Sequence, residues 1–345
     1  MSLTPASQPD IDGSNVDGRD TDMKSSSSQT LTHRRRFRWW HEAVLVSLLV
    51  GLILFSGTMM PSFLQWKSQL LLSRQLWEFA ILALGMTLII ISGGIDLSVG
   101  STMGLCAVVF GLVFSATGSL AFSCLCCVVT GGSCGAVNGL LISRAHIHPL
   151  MVTLATYAAY RGMAEGISQG ESYSQFGETF SGFARGAWLG LPLPGYLFIA
   201  LALCFALFLS GTPAGRFIYA VGHNETAARF SGVGVDALKF WLYITSGLLA
   251  GLATIVYVSR FDTAKADAGR GFELDVITAV VVGGTSIFGG RGNIGGTILG
   301  LLLIHETRLF VSRYWRIDEL RSIVIGFLLI VSVLVYRAVI RQQRE

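Results

Sequence analysis

Asp96 stands in Ile91-Ser92-Gly93-Gly94-Ile95-Asp96-Leu97-Ser98-Val99, between two apolar runs, in a chain with 21 acidic residues among 345. A glycine pair, a carboxylate and a hydroxyl at this spacing permit two kinds of chemistry. Glycine frees the backbone, so Gly93 and Gly94 break the preceding helix. Asp96 or Ser98 then caps the next helix by accepting from its free N–H groups, and the carboxylate suits the positive end of the helix dipole. On the second reading the break lines a pathway. Irregular backbone at membrane depth is tolerated where it borders a cavity, and an ionisable group there marks a site. A capped helix end bordering a cavity would satisfy both. Residues 277–303 echo the pattern with an apolar run, the pair Gly283-Gly284, a polar break and a second apolar run. Transporters place binding sites near interrupted helices in corresponding positions. Gly93, Gly94, Asp96, Ser98, Gly283 and Gly284 are thus the candidate residues of a pathway or helix break.

Other motifs narrow the chemistry. Gly290-Arg291-Gly292-Asn293-Ile294-Gly295 fits G-x-G-x-x-G, but a dinucleotide site needs a strand–turn–helix unit in a soluble domain. Between two apolar runs it reads as a tight turn. The chain has no G-x-x-x-x-G-K-[ST] phosphate loop and no evident Ser-His-Asp set, so no catalytic residues are assigned. His146 and His148 precede Pro149 in a loop, where solvated histidines explain them better than a metal pair does. Cys106, Cys124, Cys126, Cys127, Cys134 and Cys204 lack histidines at zinc spacing and read as small packing residues. No metal site is expected.

The elements that position these residues are membrane helices. Charged residues make up 13% of the chain and hydrophobic ones 52%, with a mean hydropathy of +0.61. A helix of about 20 apolar residues spans a bilayer. The pattern predicts an all-α integral membrane protein of about ten transmembrane helices with glycine-broken segments: 42–59, 75–92, 99–117, 120–142, 150–167, 196–210, 240–258, 276–287, 294–310 and 320–339. The span 276–287 is short enough to be a half-helix. Gly131, Gly132, Gly135 and Gly139 form a packing face on the fourth span.

Residues 1–41 are polar, with Ser25–Ser28 in a run, and read as a disordered cytoplasmic tail. The tail ends in Arg34, Arg35, Arg36, Arg38, Trp39 and Trp40. These residues fit part of a twin-arginine export signal and also fit a cytoplasmic anchor; the long first span after them favours the anchor. These arginines put the amino end inside. Ten crossings return the carboxyl end inside, where 341–345 form a short tail. The transmembrane domain is then 42–340. The net charge of +4 reflects inner-face arginines rather than a nucleic-acid surface.

The loop 211–239 also falls inside. Asn224 can cap a short helix through Glu225 and 227–230, and Gly232 can stop it. Such a helix, in an otherwise buried protein, reads as a docking element or as a plain connector. Asn224, Glu225, Ala228, Arg229 and Gly232 are its candidate residues.

Three stretches carry a family resemblance. Residues 85–104 (GMTLIIISGGIDLSVGSTMG), 220–233 (AVGHNETAARFSGV) and 281–296 (VVGGTSIFGGRGNIGG) resemble, in that order, the membrane permeases of monosaccharide ABC importers of the ribose, xylose, arabinose and autoinducer-2 type. Asn138-Gly139 and 153–156 add to it, and the likeness runs from about 42 to 337. It implies a multi-pass permease of the bacterial inner membrane that moves a monosaccharide, a ribose-like pentose or a related sugar. It implies a second permease copy, identical or a paralogue, within membrane lipid. A cytoplasmic ATPase would bind the 224–232 coupling helix, and a periplasmic or lipid-anchored sugar-binding protein would dock outside. ATP and Mg would belong to the partner, and this chain would hold no cofactor and be no enzyme. His223 and Phe230 depart from the Gly and Leu expected there.

An ion-coupled secondary transporter of a small polar solute is the alternative. It would carry ionisable groups inside its spans. Asp96 and Arg161 are the main candidates, with Glu78 and Glu165 near span ends. A membrane enzyme would need a reactive cluster, which the sequence lacks.

Overall fold

The computed structural model describes residues 42–315, 320, 323–330 and 334. The proposed tails 1–41 and 341–345 and most of the span 320–339 lie outside the described residues. The chain divides at Val44 and Leu45. Of the first unit only three helical residues, 42–44, are described; the helix bundle belongs to the second.

The helices are α1 (Glu42–Met59), α2 (Trp66–Ser73), α3 (Trp77–Ile91), α4 (Val99–Thr117), α5 (Leu120–Ser143), α6 (Pro149–Ser168), α7 (Glu178–Arg185), α8 (Leu193–Gly211), α9 (Pro213–His223), α10 (Glu225–Phe230), α11 (Val235–Phe261), α12 (Phe272–Val282) and α13 (Ile294–Tyr314). Residues 323–330 are helical as well. Four two-residue strands pair antiparallel, β1 (Tyr173–Ser174) with β4 (Thr263–Ala264) and β2 (Ala187–Trp188) with β3 (Leu191–Pro192).

Six described helices are long and apolar enough to cross a membrane: α1, α4, α5, α8, α11 and α13. The other described spans fall short of that length or apolarity for physical reasons. α3 is apolar but has 15 residues, about 22 Å of helix. α12 has 11 residues, about 16 Å, half of a ~30 Å core. α6 is long enough, but its buried face carries Thr153, Thr156, Tyr160 and Arg161, which lower its hydropathy.

α3 is the axis of the bundle, and all 15 of its residues are buried. Its neighbours include α8, α11, α12 and α13. α5 lies antiparallel to α11 at backbone contact. A Cβ on Gly131 would stand 2.2 Å from the Gly247 carbonyl oxygen, and one on Gly135 would stand 2.2 Å from that of Tyr243. Gly139 meets Phe240 in the same row, while Gly132 faces only the flexible end of Leu248. Spacings of four place Gly131, Gly135 and Gly139 on one stripe, and their small size allows the approach that drives helix packing in lipid. We expect Gly247→Val to lower the melting temperature of the detergent-solubilised chain sharply, because its Cβ would meet backbone atoms that cannot turn aside. Overpacking typically costs about 1–3 kcal/mol even where side chains can yield. Gly162→Ala, in open space on α6, should leave melting unchanged. Equal melting of the two variants would refute the contact.

Candidate functional site

The first helix break is built by backbone conformation. Gly93 has φ +87°, the left-handed region that glycine adopts without strain. The Gly93 N–H donates to Ile90 O (3.0 Å) and the Gly94 N–H to Ile89 O (3.0 Å), which together satisfy the loose carbonyls at the end of α3. The same pair of bonds ends α12: Gly284 has φ +92°, its N–H donates to Val281 O, and the Thr285 N–H donates to Val280 O. The echo is therefore structural, with a shift of one residue. Gly93 corresponds to Gly284, and Ser92 to Gly283. Gly283 has a different task, since its Cβ would stand 2.4 Å from the Gly296 carbonyl oxygen where α12 crosses α13.

Beyond the break, Asp96 is 3% exposed. Its Oδ1 accepts from the Ser98 N–H (2.9 Å) and the Ser98 hydroxyl (2.6 Å), and its Oδ2 accepts from the Ser246 hydroxyl of α11 (3.1 Å). Asn138 of α5 donates to Ser98 Oγ at 2.8 Å, and Thr153 of α6 donates to Ile95 O at 3.1 Å. One carboxyl group thus ties the start of α4 to α11, and through Ser98 to α5. The glycine stripe beside Asn138 lets α5 come near enough to join. The sequence allows Asp96 or Ser98 as the cap accepting from free helical N–H groups. The structure has Asp96 accepting from the N–H of Ser98, the residue before α4, while the Ser98 side chain accepts no helical N–H. Gly94 leaves room for Tyr243, whose hydroxyl would stand 2.7 Å from a Cβ there. The sequence does not reveal Ser246, Tyr243 and Asn138 as partners, because their separation along the chain hides a contact that only helix packing makes.

The second constellation lies at the end of the bundle that bears α9 and α10. Asn224 Oδ1 accepts from the Ala227 N–H (2.9 Å) and caps α10. Gly232, at φ +82°, ends the helix region with bonds from Gly232 N–H to Arg229 O and from Val233 N–H to Ala228 O. Ala228 is buried against Val221 and Val235. Arg229 reaches Asp236 with two guanidinium nitrogens (2.8 and 2.6 Å), and Lys239 reaches Glu225 (2.6 Å). The Asp236 carboxylate holds the Arg229 guanidinium charged, above even the usual arginine range. Every candidate residue of this loop is therefore used in fixing α10. What α10 presents is Phe230, 89% exposed, beside the cap. The sequence signal for it is its departure from the expected Leu.

Glycines join the two constellations. The Gly290 N–H donates to Ile91 O (2.8 Å), and a Cβ on Gly222 would stand 1.8 Å from that oxygen. Gly289, at φ +81°, packs on Gly222 and Gly93. Tyr219 donates to Gly292 O (2.9 Å), and Asn293 caps α13 by accepting from the Gly296 N–H (2.6 Å). The G-x-G-x-x-G stretch is thus a turn, closed by Ser286 N–H to Arg291 O, that abuts α9 and the end of α3. His148 Nδ1 caps α6 by accepting from the Leu150 N–H, and all six cysteines are free thiols.

Comparison with known proteins decides what this arrangement belongs to. The family described as branched-chain amino acid transport system / permease component matches residues 70–333. The chain belongs to this permease family. The permease is 36% identical over 305 residues to the autoinducer 2 import system permease protein LsrD of Photorhabdus temperata, covering 87% of this chain and 91% of that one. It is 35% identical to the LsrD proteins of Yersinia pseudotuberculosis (serotype O:3, strain YPIII) and of Escherichia coli (strain K12 / DH10B), covering 87% and 86% of this chain and 91% and 92% of theirs. No solved structure matches it. The permease is a multi-pass protein of the inner membrane, a permease component of a transport system.

Proposed function

We propose that this permease moves autoinducer 2 or a closely related five-carbon sugar inward, driven by ATP hydrolysis on a separate subunit that grips α10. The near-full-length likeness to autoinducer 2 import permeases carries the reading. Those relatives favour autoinducer 2 over ribose as the sugar. The ATPase partner is supported by α10 itself, a capped and ion-paired helix that exposes one large aromatic side chain and little else that is apolar. A second permease copy completes the path, and a sugar-binding protein delivers cargo at the opposite end. On this reading the α9–α10 end is cytoplasmic and both termini lie inside, with α3, α6, α12 and the segment near 323–330 completing ten crossings. The broken helices at Gly93–Ser98 and Gly283–Gly284 flank the path. ATP and Mg stay on the partner, and this chain does no catalysis of its own.

A tagged chain purified gently from its native membrane should carry a stoichiometric ATPase that contains a phosphate loop, and the reconstituted assembly should take up autoinducer 2. A chain that comes out alone under several mild detergents, yet moves solute with an ion gradient, would establish the secondary-transporter alternative. Phe230→Ala should weaken ATPase retention roughly tenfold to a hundredfold, as loss of an aromatic anchor does at interfaces. Its exposure means that the melting temperature should not move. Undiminished co-purification of the ATPase with this variant would remove Phe230 from the interface.

A further inference from the structure

At the end of the bundle opposite α9–α10, a cavity of about 460 Å³ opens between the start of α3, the end of α11, the start of α12 and the end of α13. Its size suits a small molecule, for which sites run ~300–1,000 Å³. Arg260, Arg270, Arg308 and Arg313 line it. Three of these have carboxylate partners: Arg260 pairs with the fully buried Glu78, Arg270 with Glu165 (3.0 Å) and Arg308 with Asp275 (3.0 Å). Arg313 donates to Ser68 Oγ (3.0 Å). Arg260 also lies 3.9 Å over the Phe261 ring, and Arg308 lies 5.6 and 5.8 Å over Phe79 and Phe272.

This pairing decides the ligand class. Glu78, Glu165 and Asp275 offset three of the four guanidinium charges, and Asp267, paired with Lys265, adds an acid to the wall. A free anion would meet Glu78 and Asp267 in the wall and gain little from the three arginines already paired with carboxylates. An apolar molecule would strand their N–H groups away from water. A neutral polyhydroxylated molecule suits both partners of each pair, because a hydroxyl both donates and accepts. Guanidinium groups pinned by a carboxylate and an aromatic ring are already ordered, so they lose little freedom when a ligand arrives.

We propose that this cavity is a sugar subsite within the permease itself, where the chain holds its cargo before it reaches the helix breaks. The proposal rests on the importer reading. It places a first selectivity filter on this subunit rather than on a delivery protein alone. Affinity should be low, roughly millimolar, since a subsite on a transport path must release what it takes.

The test uses the full chain in lipid nanodiscs with two probes, autoinducer 2 and D-ribose, observed by saturation-transfer NMR. At least one probe should show transfer from the wild-type chain. Ser312 lines the cavity, is half-buried and takes no part in the ion pairs above, so Ser312→Trp should fill the space and weaken binding by about tenfold or more. Arg313→Gln, which leaves every carboxylate pair intact, should weaken it several-fold and guards against a folding defect in the tryptophan variant. Transfer that is equal in wild type and both variants overturns the proposal. So does an absence of transfer from a chain that, assembled with its partners, takes up either probe; the importer reading then stands. If neither probe binds and the complete assembly moves neither, the importer reading falls along with the subsite.

Discussion

Asp96→Ala should unfold the helix break and abolish uptake, whereas Asp96→Asn should keep most of both. The buried carboxyl group accepts three hydrogen bonds, from Ser98 N–H, Ser98 Oγ and Ser246 Oγ. Alanine removes all three acceptors and leaves their donors stranded. Each lost hydrogen bond leaves a buried donor unsatisfied at about 1–3 kcal/mol, and bonds sharing one carboxyl group are not additive, so a loss on the order of 4 kcal/mol is expected. That is a large share of any protein's stability. Asparagine keeps Oδ1 for Ser98, and its amide can donate to Ser246 once that hydroxyl turns. Melting temperature and uptake of labelled sugar, measured on the same preparations, separate the two roles. If Asp96→Asn melts like wild type but transports nothing, the charge itself acts on the path and the positioning role is wrong.

Much of this is legible in the sequence, and the rest is hidden for identifiable causes. Gly93, Gly232 and Gly284 are legible as helix ends because a left-handed residue after a helix is a local requirement that glycine meets at once. Asn224 is legible for the same kind of reason, since its partner is only three residues away. The glycine stripe of α5 is visible from its spacing of four. Its partner face is not, because nothing local in 240–251 says which helix it will meet. The Asp96 knot divides in the same way: Ser98 is a neighbour in sequence, while Ser246 is 150 residues distant and becomes a partner only where α11 packs against α3 and α4. Hydropathy blurs the bounds of the spans because it marks apolar runs without fixing where a helix ends. Gly283 and Gly284 stop α12 after 11 residues, whereas the expected span 276–287 runs on through the polar Thr285 and Ser286 to Ile287. For α10 the sequence shows the scaffold and marks Phe230 only as a departure, without its exposure. Capping and ion-pair patterns mark what holds a helix, and an exposed phenylalanine at its end looks like a mere substitution.

Gly222→Ala should sever the α10 end of the molecule from the helix break. A methyl group there would stand 1.8 Å from Ile91 O and 2.5 Å from the Gly290 nitrogen, and both are backbone atoms bonded to each other through a hydrogen bond. Ordinary contact needs about 3.5 Å between such heavy atoms, so α9, the end of α3 and the 289–290 turn must move apart. The Gly290–Ile91 hydrogen bond and the packing of Gly289 on Gly93 go with them. α10 keeps its own fastening through Asn224, Asp236 and Lys239, which makes no use of Gly222. The variant should therefore still bind the ATPase, but sugar should no longer stimulate ATP hydrolysis and uptake should be lost. Gly232→Ala supplies the contrast. Nothing lies within 4 Å of a Cβ there, and only the φ of +82° is strained, a cost of about 1–2 kcal/mol confined to the end of α10. It should weaken ATPase retention modestly and leave the helix break intact. That pair of results would mean that coupling runs through shape, with a movement imposed on α10 passing toward Asp96 through the close backbone approach of Gly222 and Gly289 to the end of α3. Wild-type uptake in Gly222→Ala would show that the two ends communicate by another route.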